Sequence, residues 1–153
     1  TGKTIPKGTP MKKDEYHLSV SVWIQNDDGK YLISQRASGK IAPNMWETTG
    51  GAAISGEDSL SAALRETKEE LGITLYPRNG RVLKSYTYPH SNGGGAAYIE
   101  VWLFHQSIDI DTIVLQKEET CDVKWASKEQ IKQMIDQNIF IKFDYIDELF
   151  AQS

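Results

Sequence analysis

The sequence predicts an α+β fold in which a mixed β-sheet lies between helices. Segments that alternate apolar and polar residues occur on both sides of residues 58–71. Residues 58–71 carry apolar side chains at helical spacing, with Asp58 as the predicted N-cap and Gly72 as the predicted left-handed C-cap. Two further segments with helical signals end the chain. Its 153 residues are enough for a single domain, 1–153, with a substantial core.

Residues 1–15 hold two prolines, two glycines and four lysines, and we interpret them as an extended arm. The next part of the chain predicts strands at residues 17–25, 30–35 and 45–50. Asp28-Gly29 predicts a hairpin turn between the first two of these strands. Residues 37–44 predict a loop.

Beyond the central helix, strands are predicted at residues 73–76, 81–88, 96–106 and 120–126. A flexible turn is predicted at residues 91–95, which end in three glycines. Ser127 and Gln130 have the spacing of a capping box, which predicts a helix from residue 127 to about residue 138. Residues 140–150 predict a last, short amphipathic helix.

Charge and composition narrow the function classes. The formal net charge is −4 and no stripe of basic residues is visible, so binding to a nucleic-acid backbone is not expected. No apolar run approaches the ~20 residues of a membrane helix and no signal peptide is visible, so we expect a cytoplasmic protein without a membrane partner. Cys121 is the single cysteine, which excludes a disulfide framework and predicts a buried, inert thiol.

Carboxylates crowd the central helix and the loop before it: Glu57, Asp58, Glu66, Glu69 and Glu70. Glu66 and Glu70 lie four residues apart on one helix face, where like charges repel by about a few tenths of a kcal/mol. A hard divalent cation would turn this repulsion into binding. The alternative is an acidic, solvated helix face that pairs with Arg65 and Lys68.

The spacing of glycines and charges from residue 51 to residue 73 forms a motif. Gly51 is followed by five residues, Glu57, seven residues and then Arg-Glu-Thr-Lys-Glu-Glu-Leu-Gly-Ile. This pattern resembles the Nudix box, G-x5-E-x7-R-E-U-x-E-E-x-G-U, where U is a bulky aliphatic residue and Thr67 is the one departure. The resemblance implies a Nudix-type α/β/α sandwich with a loop-helix-loop box. It also implies a metal-dependent hydrolase that cleaves the diphosphate bond of a nucleoside diphosphate linked to another moiety.

The same resemblance implies roles for individual residues. The implied metal ligands are the carbonyl oxygen of Gly50 and the carboxylates of Glu66, Glu69 and Glu70. Mg²⁺ is the expected cofactor, with Mn²⁺ as the alternative. Gly51 and an ion pair between Glu57 and Arg65 are expected to support the site. For the general base that takes the proton from water, Glu66 is the first choice and Glu119, in a later loop, is the second.

Residues 17–57 also resemble isopentenyl-diphosphate isomerase, a relative with the same fold, through the stretches HLSVSVWI, GKYLISQRAS and APNMWETT. That enzyme needs a catalytic cysteine and a histidine two residues later, where this chain has Gly50 and Ala52. His17 and Glu100 match metal-ligand positions of the isomerase, but two ligands without the cysteine cannot perform its chemistry. Hydrolysis is therefore the leading hypothesis. An isomerase-like enzyme and a non-catalytic nucleotide-binding module are the alternatives.

Residues outside the box are candidates for binding the substrate, a small nucleotide or another diphosphate. Four aromatic residues can stack on a base or belong to the core: Trp46, Tyr86, Tyr88 and Trp102. Arg36 can hold a phosphate, and Glu100 is expected to point to the pocket. Tyr88 and Pro89 both fall about fifteen residues past the box, where relatives that act on dinucleoside polyphosphates or ADP-ribose differ, so neither substrate is favoured. A homodimer is expected by analogy with similar proteins.

Overall fold

A computed structural model of the protein describes residues 16–89 and 96–153. The strands are Tyr16–Gln25 (β1), Tyr31–Arg36 (β2), Trp46–Glu47 (β3), Thr49–Ala52 (β4), Gly80–Pro89 (β5), Ala96–His105 (β6) and Thr120–Ala126 (β7). The helices are Ser59–Leu71 (α1), Lys128–Asp136 (α2) and Ile146–Gln152 (α3). The arm predicted at residues 1–15 and the turn predicted at residues 91–95 lie outside the described residues.

The described strands form one mixed sheet of seven strands. Its main path runs β3-β2-β1-β6-β5, with β4 paired to β1 and β7 paired to β2. β1 and β6 are parallel from Tyr16↔Ala96 to Gln25↔His105, whereas the other pairs are antiparallel. A parallel pair needs a long crossover connection, and the segment that contains α1 and β5 supplies it. The predicted α+β class with a mixed sheet is confirmed.

Helices cover both faces of this sheet. α1 packs on one face, against side chains that include Val22 of β1 and Phe104 of β6. α2 and α3 pack on the other face, around the fully buried Trp23 and Leu103. Residues of β1 and β6 therefore alternate between two apolar cores, because successive side chains of a strand point to opposite faces. The result is the predicted α/β/α sandwich.

Local signals specify the ends of α1. The Asp58 carboxylate accepts a hydrogen bond from the N–H of Ser61 at 2.8 Å, and Gly72 ends the helix with φ at 68°. Both predicted caps are present. Thr67, the one departure from the motif, is fully buried, and its hydroxyl donates to the Ala63 carbonyl at 2.8 Å. The substitution therefore leaves no polar group unsatisfied.

The predicted strand at residues 45–50 is two strands in the structure. It divides at Thr48, whose hydroxyl donates to the Val22 carbonyl. The two pieces have different partners, because β3 pairs with β2 whereas β4 pairs with β1. This division turns the backbone just before the glycine pair at Gly50 and Gly51, so the pair lies at the start of the segment that leads into α1.

The predicted strand at residues 73–76 is wrong. The segment buries Ile73 and Leu75 but pairs with no strand among the described residues. The Gln106 side chain takes the place of a strand partner. Its Oε1 accepts from the N–H of Tyr76 at 3.1 Å, and its Nε2 donates to the Thr74 carbonyl at 2.9 Å. The alternation in the sequence therefore reflects burial without a ladder.

The final helix begins later than predicted, because residues 140–145 are not helical. Phe140 forms a parallel β-bridge with Trp46. Backbone hydrogen bonds of 2.8 Å on both sides of Phe140 join its neighbours, Ile139 and Ile141, to Trp46. The backbone of this segment is thus committed to the edge of the sheet. Only residues 146–152 are left to form α3.

α2 agrees with the prediction. The Ser127 hydroxyl accepts from the N–H of Gln130 at 3.1 Å, and the Gln130 side chain accepts from the N–H of Ser127 at 2.8 Å. The reciprocal pair satisfies two N–H groups at the start of the helix. Of the helices formed by the described residues, none combines the length and the apolar character needed to cross a membrane.

The prediction of a buried thiol at Cys121 is wrong, because this side chain is exposed. Cys121 lies on β7, where Thr120 is buried and Cys121 is not. Its Sγ lies 3.4 Å from Oε1 of Gln35 on the neighbouring strand. A single polar-flanked cysteine carries no periodic signal that would have placed it on the outer face.

Candidate active site

A cleft of about 360 Å³ opens beside α1. Four parts of the chain form it: β4 with its glycine pair, one face of α1, the loop that precedes β3 and the loop that precedes β7. Its charged lining residues are Lys40, Arg65, Glu66, Glu69, Glu70 and Glu119. The fold therefore brings the carboxylates of the motif together with Glu119, which is distant in the sequence.

Glu66 and Glu70 form the acidic floor of this cleft. They lie one helical turn apart and line the same cleft, and Glu70 Oε2 accepts from Thr49 Oγ1 at 2.6 Å. The pKa of Glu70 is raised to about 8, first by burial and then by the charges of Glu66 and Glu47; the Thr49 hydrogen bond and Lys40 oppose this rise. Burial also raises the pKa of Glu66. The pair therefore retains a proton near neutral pH unless a cation compensates its charge.

The two glycines of β4 leave room for different atoms. A Cβ on Gly51 would lie 2.5 Å from Cδ of Glu66, so the missing side chain provides the space that this carboxylate occupies. A Cβ on Gly50 would lie 2.3 Å from the backbone oxygen of Val20, so here the missing side chain lets two strands approach each other. The missing side chain of Gly51 thus makes room for a carboxylate of the floor, whereas that of Gly50 allows β4 to pack closely against β1.

Arg65 ties α1 to the loop before it. Its Nε and Nη2 donate to the two carboxylate oxygens of Glu57 at 2.7 and 3.0 Å, and Nη2 also donates to the Ala52 carbonyl at 3.0 Å. Its Nη1 donates to Glu66 at 3.2 Å and to Glu69 at 3.0 Å. The Arg65 hydrogen bonds lower the pKa of Glu57. One guanidinium therefore orients the loop, the helix and one floor carboxylate together.

Arg65→Lys should destabilise the protein by about 1–2 kcal/mol, although it keeps the charge. A lysine ammonium cannot donate to Glu57, Ala52 and Glu66 in the fixed planar geometry of the guanidinium. Thermal unfolding followed by circular dichroism measures the effect, with exposed Arg78→Lys as the matched control. Equal unfolding temperatures for the two variants would show that the network contributes nothing to stability.

The donor set of the floor suits a hard divalent cation. The carboxylates of Glu66 and Glu70 and the backbone of Gly50 offer oxygen ligands, and the cleft leaves space for the waters that Mg²⁺ keeps. Within residues 16–89 and 96–153, no three His, Cys, Asp or Glu side chains already converge as a metal cage. The third helix carboxylate, Glu69, is 49% exposed and pairs with Arg65. It would reach a cation in the cleft only after leaving Arg65.

Arg36 and Trp46 lie outside the lining of this cleft. Trp46 is buried in the core beside α2 and α3, and Lys124 Nζ lies 4.7 Å from its ring centroid. Arg36 Nη1 donates to Glu47 at 3.0 Å, and Arg36 Nε donates to the Ile41 carbonyl at 2.7 Å. Neither residue lines the cleft. Trp46 therefore belongs to the core, and Arg36 holds the loop before β3.

The other aromatic candidates also lie away from the cleft. Trp102 Nε1 donates to the Ser59 hydroxyl at 2.9 Å, which seals the packing of α1 on the sheet. Tyr86 lines a second cavity, of about 640 Å³, together with Tyr145 on the opposite face of the sheet. The side chain of Tyr88 lies outside the described residues. Of the described aromatic candidates, none contributes to the cleft beside α1.

Glu100 does not line the cleft, and it cannot share a metal with His17. Its carboxylate accepts from the Ser85 hydroxyl at 2.7 Å. In the register of the parallel pair, Val20 is the partner of Glu100, and His17 lies three residues before Val20. His17 and Glu100 therefore point to opposite faces of the sheet. The match of both residues to isomerase metal-ligand positions does not produce a joint site.

Lys40, Glu47 and Thr49 are among the residues in or near the cleft that the sequence does not predict. Thr49 directly precedes the glycine pair, so its position beside the motif is a signal that could have identified it. Lys40 forms an ion pair with Glu119, which is 79 residues away in the chain. No local pattern predicts such a contact, because it depends on how two loops meet.

Comparisons with known proteins agree on one family. A family model described as NUDIX domain matches residues 15–148. The chain is 34% identical over 152 residues to an uncharacterized Nudix hydrolase of Listeria innocua. The aligned residues cover 98% of this chain and 86% of that protein. The chain is 28% identical over 131 residues to an isopentenyl-diphosphate Delta-isomerase of Clavibacter sepedonicus, covering 84% of this chain and 68% of that one.

The fold is shared with a solved structure, the MutT protein from Methanosarcina mazei. The TM-score is 0.68 at 22% identity, over 90% of this chain and 93% of that one. The TM-score shows the same arrangement of sheet and helices.

Proposed function

This chain belongs to the Nudix family, and from that premise we propose that its cleft hydrolyses a diphosphate bond in a nucleoside diphosphate linked to another moiety. It is an enzyme of the Nudix hydrolase type, and such hydrolases act on pyrophosphate bonds and generally use divalent metal ions. The observation that carries the proposal is that Glu66, Glu69 and Glu70 line one cleft, in which the Thr49 hydroxyl holds the Glu70 carboxylate. Two close, partly buried carboxylates cost free energy unless a cation joins them.

We propose Mg²⁺ as this cation, with Mn²⁺ as the alternative. Glu66, Glu70 and the backbone carbonyl of Gly50 would hold it, and Glu69 would join them after leaving Arg65. When bound, such an ion offsets the charge of the diphosphate oxygens and makes water more acidic. The waters that Mg²⁺ keeps fit the open side of the cleft.

The chain's own residues position the reaction and move the proton. Arg65 and Glu57 hold the loop against α1, and Thr49 fixes the Glu70 carboxylate by its hydrogen bond. The proton of the attacking water passes to a carboxylate that lines the cleft. We propose Glu66 for this role, with Glu119 as the second candidate, since both face the same volume.

An isomerase-like enzyme is the second candidate, because the chain is similar to isopentenyl-diphosphate isomerases. The positions of the catalytic cysteine and histidine hold Gly50 and Ala52, neither of which can transfer a proton through its side chain. His17 and Glu100 lie on opposite faces of the sheet. These features disfavour allylic proton transfer and support hydrolysis.

One assay separates the candidate functions. The protein is incubated with Mg²⁺ and with ADP-ribose, a dinucleoside polyphosphate, a nucleotide sugar and isopentenyl diphosphate, and the products are separated by chromatography. Release of a nucleoside monophosphate supports the proposal. Migration of the double bond in isopentenyl diphosphate, or binding of nucleotides without turnover, would overturn it in favour of an isomerase or a binding module. The assay also identifies the substrate class, for which neither ADP-ribose nor a dinucleoside polyphosphate is preferred.

The proposal includes a small-molecule substrate, a cytoplasmic location and a homodimer. The acidic lining of the cleft, with four glutamates, supports a small substrate that arrives with a metal ion and disfavours a nucleic-acid backbone. The homodimer rests on analogy with similar proteins. Sedimentation of the purified protein measures the oligomeric state directly.

Without metal, the unfolding temperature should fall as pH rises from about 5 to 8. The folded-state pKa of Glu70, about 8, lies above its ordinary value of 4.5, so folding favours the protonated form. The stabilisation that this proton provides is present below about pH 4.5 and is lost as pH rises through about 8. Because Mg²⁺ binds the ionised form, its stabilising effect should grow over the same range.

Thermal unfolding in chelator and in Mg²⁺, each across this pH range, measures both trends. Glu70→Gln isolates the contribution of this carboxyl, since the variant should lack the metal-free decline and most of the Mg²⁺ effect. A Mg²⁺-induced shift that is the same at pH 5 and pH 8 would contradict the assignment of Glu70 as a ligand.

A further inference from the structure

The cleft has a strongly acidic lining for a site that must receive a diphosphate. Four glutamates face it, and the described residues contribute two cations to its wall, Arg65 and Lys40. The positive charge of a metal ion on the floor would be neutralised largely by Glu66 and Glu70. A phosphate that lies farther out needs a protein cation of its own, because it would otherwise face Glu119 unshielded.

Arg65 is not available for this task. All three of its guanidinium nitrogens already donate hydrogen bonds, to Glu57, Ala52, Glu66 and Glu69. Its removal from these partners would release the loop and the helix that form the cleft. A phosphate ligand must therefore find another donor.

Lys40 has the capacity and the position. An ammonium has three N–H donors, and the one ion pair described for Lys40 is with Glu119. Its side chain is 27% exposed at the cleft wall, and it lines the same cleft as Glu66 and Glu70. Its loop is fixed to the opposite one, because the N–H of Ala37 donates to the Glu119 carbonyl at 3.0 Å.

We propose that Lys40 binds a phosphate of the substrate and that this contact replaces its ion pair with Glu119. The inference deepens the proposed function and rests on it for the identity of the ligand. The exchange costs little free energy, because an ion pair that solvent partly reaches contributes little to stability. A diphosphate group, with two negative charges over its two phosphates, is a stronger partner for an ammonium than one carboxylate is.

The exchange has a consequence for Glu119. In the absence of substrate its carboxylate is held by Lys40, and arrival of the diphosphate releases it into the cleft. Glu119 then faces the bound phosphates and the water around them. Lys40 is therefore a binding residue that also positions Glu119. Removal of the Lys40 charge should weaken binding of the diphosphate, whereas removal of the Glu119 charge should strengthen it.

Calorimetric titration with inorganic pyrophosphate and Mg²⁺ tests the inference without requiring turnover. Lys40→Met should weaken pyrophosphate binding by about tenfold or more, and Lys40→Arg should restore most of it. Glu119→Gln should instead tighten binding by about threefold, because Lys40 no longer has to leave a charged partner. The matched control is Lys117→Met, which removes an exposed lysine of the loop before β7 that does not line the cleft.

The double variant distinguishes exchange from simple repulsion between Glu119 and the anion. If the phosphate and Glu119 compete for Lys40, Glu119→Gln should change affinity by less than about twofold once Lys40 is methionine. An equal gain in both backgrounds would overturn the exchange, and wild-type affinity in a folded Lys40→Met would overturn the phosphate contact. Pyrophosphate binding that follows these expectations while every nucleotide in the panel stays intact would count against hydrolysis and leave the Lys40 contact standing.

Discussion

Glu70→Gln is expected to lower turnover of a nucleoside diphosphate substrate by at least about 100-fold while the protein stays folded. The amide has nearly the shape of the carboxylate and can still accept the hydrogen bond from Thr49. It cannot carry the negative charge that a divalent cation needs on the cleft floor. Because burial already disfavours that charge in the folded protein, its removal should leave the metal-free unfolding temperature unchanged or higher.

The matched control for this variant is Glu118→Gln. Glu118 is an exposed acid of the loop before β7 and does not line the cleft, so its loss should change turnover by less than about twofold. Steady-state turnover at saturating Mg²⁺, together with circular dichroism spectra, measures both variants. Retention of more than a tenth of the activity by a folded Glu70→Gln would mean that the metal assignment is wrong.

The parts of the fold that follow from the sequence are those whose signals are local. Asp58 and Gly72 specify the ends of α1 through contacts within four residues, and Ser127 with Gln130 specifies the start of α2 in the same way. The motif spacing likewise places Glu66 on the same helix face as a residue four positions later. These helix caps and this spacing along the helix do not depend on the fold in which the helices occur.

The parts of the fold that differ from the prediction depend on contacts with residues far away in the chain. Residues 73–76 alternate as a strand does, but the side chain of Gln106, thirty residues beyond Tyr76, satisfies their backbone. Residues 140–145 have helical periodicity, but Trp46 takes Phe140 into a β-bridge. Periodicity reports which side chains are buried and does not report what the backbone pairs with.

The candidate site likewise contains residues that a local motif predicts and residues that only distant contacts bring together. The helix carboxylates and Arg65 follow from one motif, whereas the outer wall of the cleft is made by loops that are far apart in the chain. Arg36 illustrates the difference. As a basic residue at the end of a hairpin it looked suited to a phosphate, but its Nη1 donates to Glu47 and its Nε to the Ile41 carbonyl. Side chains with several possible partners are assigned only when the fold shows which partner is near.

Gly51→Ala should lower turnover by at least about tenfold, and by as much as about 100-fold, with little loss of stability. The new methyl group would lie 2.5 Å from Cδ of Glu66, so one of the two must move. The carboxylate is the flexible end of a long side chain and will move before the strand does. A displacement of about 1 Å is enough to disturb a metal ligand or a proton acceptor. Turnover and the concentration of Mg²⁺ that supports half of it should change together.

Gly50→Ala gives the contrasting result, because its methyl group meets the Val20 carbonyl oxygen at 2.3 Å. Backbone atoms of two paired strands cannot separate without loss of ladder hydrogen bonds, so the unfolding temperature should fall by about 6 °C or more. The two variants add the same methyl group to adjacent residues, and only the atom that each one meets differs. If Gly51→Ala instead loses stability and keeps full turnover, the Glu66 carboxylate does not need the place that the glycine leaves for it.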